Sequence, residues 1–154
     1  MHPGNVGEPT LSKNPVHVYP YVVKSYHESI PEPIGNDYTE ALVCHYAGAY
    51  NAAATIFRRM IQTSVLDKGA DPSKKLYEQI NQLRDEAKID IRTANWAHEI
   101  RLIGNVPGAH PDQNQLLLNV TQGESKGNIE FIEEFLRSVY IMPYNAEQRK
   151  LKRQ

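Results

Sequence analysis

The stretch YNAAATIFRRMIQTSVLD, from Tyr50 to Asp67, decides the fold. Its apolar residues recur every three or four positions, which is the spacing of one face of an α-helix. Lys68 and Gly69 follow it, a cation and a glycine of the kind that end helices. The stretch therefore predicts one long amphipathic helix. Its buried face is expected to hold Ala53, Ile56, Phe57, Met60, Ile61 and Val65.

The segments on either side carry the same helical period. A first helix is predicted to start at Asn36 or Asp37, which are natural N-caps after Gly35. Two further helices follow the long one, with apolar stripes formed by Leu76, Ile80 and Leu83 and by Ile91, Ala94, Ala97 and Ile100. All the strong segments are helical in pattern, so the sequence predicts an all-α bundle of about five helices.

The C-terminal part of the bundle is predicted from a polar stretch and a further apolar stripe. Residues 121–127 are interpreted as a polar loop, and Asn128 is predicted to cap the last main helix. Pro143 is expected to stop or kink that helix. The core face of the helix is predicted to hold Ile129, Ile132, Phe135, Leu136, Val139 and Tyr140.

We predict three regions along the chain. Residues 1–35 form an extended arm rich in proline and tyrosine, residues 36–143 form the helical bundle domain, and residues 144–154 form a basic C-terminal tail. Prolines break the arm, and Pro31 and Pro33 are its last two. The tail is expected to be solvated, with phosphate contact by its cations as the alternative.

The composition excludes several classes of protein. A chain of 154 residues fits one domain, and a net charge of -1 gives no overall attraction to nucleic acid or anionic lipid. Cys44 is the single cysteine, which excludes an intrachain disulfide framework and a zinc site built from cysteines. No apolar run approaches the roughly 18 residues of a membrane span. We therefore predict a soluble cytoplasmic protein without membrane contact.

The candidate site lies between Trp96 and Pro111, where a helical pattern gives way to a loop with glycine and proline. Polar groups at the end of a helix are a common way to build a site. Arg101, Asn105 and His110 are the polar residues of interest here. Trp96 itself is expected to lie in the core, because a lone tryptophan beside an apolar stripe is usually buried.

Motifs of known chemistry are missing from the sequence. It has no phosphate-binding glycine loop, no dinucleotide-binding glycine pattern and no zinc-binding His-Glu-x-x-His. His98, Glu99 and His110 could in principle share a metal ion, but the loop is expected to carry His110 away from the helix. We therefore predict no metal and no cofactor.

Several short motifs, in order along the chain, resemble one known family. They are Glu40-Ala41-Leu42, Ala47-Gly48-Ala49-Tyr50-x-Ala52-Ala53, Arg58-Arg59, His98-x-Ile100-Arg101-x-x-Gly104-Asn105-x-x-x-Ala109-His110 and Tyr140-x-Met142-Pro143. The resemblance is to the bacterial domain-of-unknown-function family 4145 and runs from about residue 34 to residue 143. It implies a helical bundle distantly similar to the HEPN superfamily. Members occur alone or fused to restriction enzymes and other defence proteins, some behind a zinc ribbon for which this chain lacks the cysteines.

The resemblance also implies a possible chemistry. HEPN ribonucleases cut RNA without metal, using an arginine and a histidine that dimerisation brings together in two copies. Arg101 and His110 are the corresponding candidates for catalysis. Arginine would hold the scissile phosphate, and histidine would transfer protons. The resemblance therefore implies a homodimer, with RNA or a defence-system protein as a further partner.

The sequence departs from the ribonuclease pattern at two points. Leu102 follows Arg101 where a polar residue is usual, and eight residues separate Arg101 from His110. We therefore predict an accessory or interaction module, associated with nucleic acid in bacterial defence or RNA metabolism. The alternatives are a metal-independent endoribonuclease and a purely structural role for these residues. The candidate phosphate-binding residues are Arg58, Arg59, Arg101, Asn105, Lys150, Lys152 and Arg153.

Overall fold

The structure is a computed structural model that describes residues 26–104 and 119–154. Over this part of the chain it contains six α-helices and no strand. A π-helical segment, Arg137–Ile141, joins the last two helices into one continuous rod. The prediction of an all-α bundle is confirmed. The helices are α1 (Glu32–Tyr46), α2 (Tyr50–Asp67), α3 (Leu76–Asp85), α4 (Ile91–Gly104), α5 (Gln122–Leu136) and α6 (Met142–Lys152).

The core lies around α2 and α4. Helix α2 packs against α1, α3, α4 and α5, and α4 packs against α2, α3 and α5. Alanines with no exposed surface occur on both central helices, and such small side chains let helix backbones approach closely. Every residue predicted for the inner face of α2 is buried. The largest fully buried side chains include Phe57, Phe135, Ile34, Met60, Ile61 and Ile80.

The first helix begins at Glu32, and its N-cap lies five residues before Asn36, the earlier of the two predicted N-caps, Asn36 and Asp37. Pro31 is its N-cap and Pro33 lies in its first turn. Proline is tolerated there because the first turn needs no intrahelical N–H donors. An acidic Glu32 also suits the positive end of the helix dipole. Prolines interpreted as part of an extended arm therefore mark a helix start.

The ring of Tyr26 lies directly against the backbone of Gly35. A Cβ atom added to Gly35 would overlap the ring carbons of Tyr26. Tyr26 packs against the hydrophobic core, and Ile30 beside it is buried. The bare backbone of Gly35 thus provides the space in which the Tyr26 ring lies.

The prediction that Asn128 caps the last main helix is wrong. Helix α5 begins at Gln122, and Thr121 caps it by accepting a hydrogen bond from the Glu124 backbone N–H at 3.1 Å. The Glu124 carboxylate accepts one in return from the Thr121 backbone N–H at 2.8 Å. This reciprocal capping box places the N-cap seven residues before Asn128. Asn128 is consequently a mid-helix residue with no exposed surface.

The side chain of Asn128 is unusual for a buried amide. Neither its Nδ2 nor its Oδ1 has a hydrogen-bond partner among the described residues. Gln79 offers a contrast, since its Nε2 donates a 3.0 Å hydrogen bond to the Asp71 carbonyl although its Oε1 has no partner there. Buried amides are normally paired because leaving one unpaired costs free energy of folding.

The π-helical segment sits one turn before Pro143. The Met142 N–H donates to the Arg137 carbonyl, which is a step of five residues instead of four. Pro143 has no N–H and its ring collides with the carbonyl four residues earlier in a regular α-helix, so a wider turn relieves the clash. The rod continues beyond Pro143, and residues predicted as a tail form α6.

Two tyrosine hydroxyls form hydrogen bonds between neighbouring helices. The Tyr38 hydroxyl donates to Glu133 Oε2 at 2.7 Å, linking α1 to α5. The Tyr140 hydroxyl donates to Asp67 Oδ2 at 2.8 Å, linking the π-helical segment to α2. Burial, then the hydrogen bond to each carboxylate, raises the pKa of both phenols. Both tyrosines therefore stay protonated donors at neutral pH.

Candidate functional site

The C-terminal turn of α4 lies against α3 and carries Arg101 to an exposed aromatic ring. The Arg101 guanidinium lies over the Tyr77 ring, with its central carbon 5.1 Å from the ring centroid. More than half of the Tyr77 surface, 53 %, is exposed. The cation and the aromatic face attract each other, so Tyr77 holds the arginine in place without neutralising its charge. Arg101, Tyr77, His98 and Asn81 form what we call the Arg101 cluster.

His98 bonds to Arg101 and also packs on Tyr77, with the two ring centroids 5.1 Å apart. Arg101 Nε donates to His98 Nδ1 at 3.3 Å, and His98 Nε2 lies 2.9 Å from Asn81 Oδ1. Because the arginine can only donate, Nδ1 of His98 must accept, and Nε2 then carries the proton that binds the asparagine. The geometry therefore requires a neutral His98. Both of its ring nitrogens are used in positioning Arg101.

A second arginine stands close to Arg101. Burial first, then the charge of Arg58 on α2, lowers the pKa of Arg101 from its ordinary value. Arginine remains protonated even so. Neither arginine forms an ion pair with another described residue, and the buried Nε of Arg58 has no hydrogen-bond partner among them. Arg101 thus carries an unneutralised positive charge over Tyr77, and the charge of Arg58 acts on it from α2.

Arg59, the sequence neighbour of Arg58, lies in a different environment. Its Nη2 is 2.7 Å from Asp37 Oδ1 and 3.5 Å from Glu40 Oε2, and its Nε donates to Asp37 Oδ2 at 2.9 Å. Adjacent residues of a helix point about 100° apart, which explains the separation. Two carboxylates already contact Arg59, which leaves Arg58 as the helix α2 cation near Arg101.

The remaining predicted site residues are not brought to this cluster in the described part of the chain. Asn105 and His110 lie outside the described residues. Lys150, Lys152 and Arg153 are exposed at the end of α6, and no hydrogen bond or ion pair between described residues joins them to Arg101. Of the predicted cationic residues, Arg58 and Arg101 lie on packed helices, and the charge of Arg58 acts on Arg101.

Sequence reasoning missed three members of the cluster. The sequence presents His98 only as a candidate metal ligand, and it does not mark Tyr77 or Asn81 as site residues. One signal was available, because His98 and Arg101 are three residues apart and so share a helix face. The contribution of α3 depends on how α3 and α4 pack, which their separate periodicities do not specify. Trp96, predicted to be buried, is only partly buried and is not in the core cluster.

The described residues contain neither a cluster of metal ligands nor a membrane-spanning helix. In residues 26–104 and 119–154, no three histidine, cysteine, aspartate or glutamate side chains come together as metal ligands would. Among the helices of the same residues, none combines the length and the apolar character needed to cross a membrane.

The protonation of His98 predicts a pH dependence of stability. Burial first, then the charges of Arg101 and Arg84, lowers the pKa of His98. In the unfolded chain the pKa returns to about 6.5. As the pH falls below that value the unfolded state binds a proton before the folded state does, so stability falls until the lowered pKa is passed. His98→Gln should therefore lose less stability than the wild type between pH 7 and pH 5.

Urea unfolding at pH 7, 6 and 5 measures this effect. His45 serves as a comparison, because burial also lowers its pKa and it bonds Ser125 Oγ at 2.8 Å, on α5, outside the cluster. His45→Gln should remove the part of the stability loss at low pH that is due to His45, and the part due to His98 should remain. Identical pH profiles for the wild type and His98→Gln would contradict the neutral state assigned to His98.

Comparison with known proteins identifies the family. A family model described as "Domain of unknown function (DUF4145)" matches residues 39–154. That range includes all members of the Arg101 cluster as well as Arg58. No curated protein and no solved structure matches the chain. Because the family model covers most of the sequence, the chain belongs to the family of domains of unknown function DUF4145.

Proposed function

We propose that this domain is an accessory module that binds phosphate groups of nucleic acid at Arg58 and Arg101. The observation that carries the proposal is Arg101, which lies over the exposed ring of Tyr77 and forms no ion pair with another described residue. Arg58 adds a second positive charge from the neighbouring helix α2. Guanidinium groups bind phosphate with two parallel hydrogen bonds, and arginine is the residue of choice for it. Tyr77 adds a surface on which a base can stack.

The cluster supports binding better than catalysis. A general acid or base needs a ring nitrogen free to exchange a proton with the substrate. Both nitrogens of His98 are engaged with Arg101 and Asn81. The described residues therefore supply a phosphate clamp and a stacking surface. A metal-independent endoribonuclease using Arg101 and His110 stays the alternative, and a homodimer and a role in bacterial defence or RNA metabolism stay part of the proposal.

The test is the affinity of purified protein for fluorescently labelled mixed-sequence RNA, measured by anisotropy at several salt concentrations. Arg101→Gln and Arg58→Gln should each weaken binding about tenfold, since a charge-assisted hydrogen bond contributes roughly 1.5 kcal/mol or more. Each should also make binding less sensitive to salt, because a protein that neutralises one phosphate fewer releases fewer counterions. Arg59→Gln removes the same charge from an ion-paired residue and should change affinity little.

Other outcomes decide between the alternatives. Equal affinities for Arg59→Gln and Arg58→Gln would show that overall charge, and not the cluster, binds RNA. Absence of salt-dependent binding would refute the proposal. Cleavage of the RNA in the presence of chelator, abolished in His110→Ala, would favour the ribonuclease.

A further inference from the structure

Helices α3 and α4 form an antiparallel hairpin that carries several cations on its outer side. Tyr77, near the start of α3, contacts Arg101, near the end of α4, and Asn81 further along α3 contacts the earlier residue His98. The two helices therefore run in opposite directions. Residues 86–90 connect the two helices. Tyr77, Asn81 and Arg84 are spaced by four and three residues and therefore lie on one side of α3.

This side of the hairpin leads from the Arg101 cluster to an open cavity of about 870 Å³ at the α3–α4 turn. The cavity is lined by Arg84, Lys88, Arg92 and Asn95, among others. Arg84 connects the two places, because it lines the cavity and lies on the same side of α3 as Asn81 and Tyr77. The cluster and the cavity are thus neighbouring parts of one surface, which we call the hairpin stripe.

The charges at the cavity are available to an anionic ligand. Arg92 forms no ion pair within the described residues. Arg84 pairs with the adjacent Asp85 at 3.1 Å and Lys88 with Glu86 at 3.2 Å, both on the surface. Exposed pairs of this kind contribute little free energy and can give way to a phosphate.

The carboxylate of Asp90, which lines the cavity, is bonded to the backbone at the start of α4. Asp90 Oδ1 accepts a 2.7 Å hydrogen bond from the Thr93 backbone N–H. The first turn of α4 therefore partly compensates its charge, as helix N-termini do for acidic groups. The three cations of the cavity therefore stand beside three carboxylates, those of Asp85, Glu86 and Asp90, and a phosphate bound here would replace the carboxylates at the cations.

The length of the stripe exceeds one phosphate site. Arg92 and Arg101 are nine residues apart on α4, which is about 13 Å along the helix and about half a turn around it. A strand that contacts both must therefore cross the outer side of α4, where Asn95 is exposed. Tyr77 and Arg84 are separated by about 10 Å on α3 for the same reason. A single nucleotide at the Arg101 cluster would leave the cavity end of the stripe unoccupied.

We propose that the hairpin stripe binds a single-stranded nucleic acid, with one phosphate at Arg58 and Arg101, an unpaired base on Tyr77 and a later phosphate at Arg84 and Arg92. The proposal rests on the phosphate-binding function of the Arg101 cluster and adds the class of ligand. Only a strand whose bases are unpaired can place one on an aromatic ring, and a cationic groove with a stacking surface is typical of single-strand binding.

The experiment compares RNA oligonucleotides of two to ten nucleotides, a DNA strand of the same sequence, and a blunt duplex of the ten-nucleotide RNA. Affinity should rise with length and then level off, and the single strand should bind at least tenfold tighter than the duplex. RNA and DNA carry the same phosphate groups, so the DNA strand shows whether the stripe distinguishes the two nucleic acids. Equal binding of RNA and DNA would mean that the stripe reads phosphates and bases but no ribose hydroxyl.

Variants at the far end of the stripe separate this inference from the proposed function. Arg84→Gln combined with Arg92→Gln should weaken binding of the ten-nucleotide strand several-fold and leave the dinucleotide unchanged. The salt slope for the long strand should decrease by about 0.7 for each phosphate that the variant no longer neutralises. Lys126→Gln, an exposed cation on α5, is the control.

Three results would overturn the inference. The first is a dinucleotide that binds as tightly as the ten-nucleotide strand, and the second is a duplex that binds as tightly as the single strand. The third is a double variant that behaves like Lys126→Gln. Each of these leaves the phosphate site at Arg58 and Arg101 in place, provided that Arg101→Gln still weakens binding. Absence of all nucleic-acid binding in the wild type would overturn both proposals.

Discussion

Gly35→Ala is expected to lower the free energy of unfolding by about 1–3 kcal/mol, the usual cost of forcing extra atoms into a packed site. The new methyl group would overlap the ring carbons of Tyr26, so the ring must leave its place against the core. Alanine is the better helix former by up to about 1 kcal/mol, which offsets part of the loss. Chemical denaturation followed by circular dichroism measures the difference.

A double-mutant cycle isolates the cause of that loss. In a Tyr26→Ala background the methyl group meets open space, so Gly35→Ala should become neutral or stabilising. Gly127→Ala is the matched control, because this helical glycine has no atom within 4 Å of an added Cβ. It should be neutral or stabilise by up to about 1 kcal/mol. The same loss from Gly35→Ala in both backgrounds would contradict the role given to Tyr26.

Asn128→Leu should raise the free energy of unfolding by about 1–3 kcal/mol, the cost usually attached to a buried polar group without a partner. Leucine has a similar size and no polar atoms, so it removes that cost while it keeps the volume filled. The surroundings favour it, since Ile132 on the same helix is fully buried in the core. Thermal and urea unfolding of the variant and the wild type measure the change.

Gln79→Leu provides a comparison with the opposite sign. It removes the hydrogen bond to the Asp71 carbonyl and should destabilise the protein, because that carbonyl loses its partner. Opposite signs for these two buried amides would show that pairing, and not polarity alone, decides their effect. A clear loss of stability in Asn128→Leu would mean that the amide has a partner in the folded protein.

The helices of the core follow from sequence because their apolar period is strong. All six residues predicted for the inner face of α2 are buried, since 3.6-residue periodicity determines which side chains share a side. Ala54 and Ser64 are also buried there and are not among the predicted residues, because small and hydroxyl side chains do not mark an apolar face. The start of α5 differs from the prediction although Thr121 and Glu124 have the spacing of a capping box. The start of α1 differs because Pro31 and Pro33 resemble helix breakers in sequence. Proline stops a helix from within but is compatible with its first turn.

The candidate site is predicted less completely than the fold. The sequence identifies Arg101, and it offers Arg58 as one of two arginines for the partner cation. The choice between Arg58 and Arg59 depends on which one meets Asp37, a contact between two helices that periodicity does not give. Tyr77 and Asn81 could not be predicted as site residues for the same reason. They contact Arg101 and His98 only because α3 packs on α4.

The π-helical turn before Pro143 amounts to one residue inserted into an otherwise continuous rod. One residue of an α-helix corresponds to a rotation of about 100°, so the insertion turns everything after it out of phase with the core-facing side of α5. This change of phase agrees with an α6 that buries none of its residues, although Val139 and Tyr140 just before it are buried. In evolutionary terms, gain or loss of a single residue here can redirect the last helix while the bundle core keeps its packing.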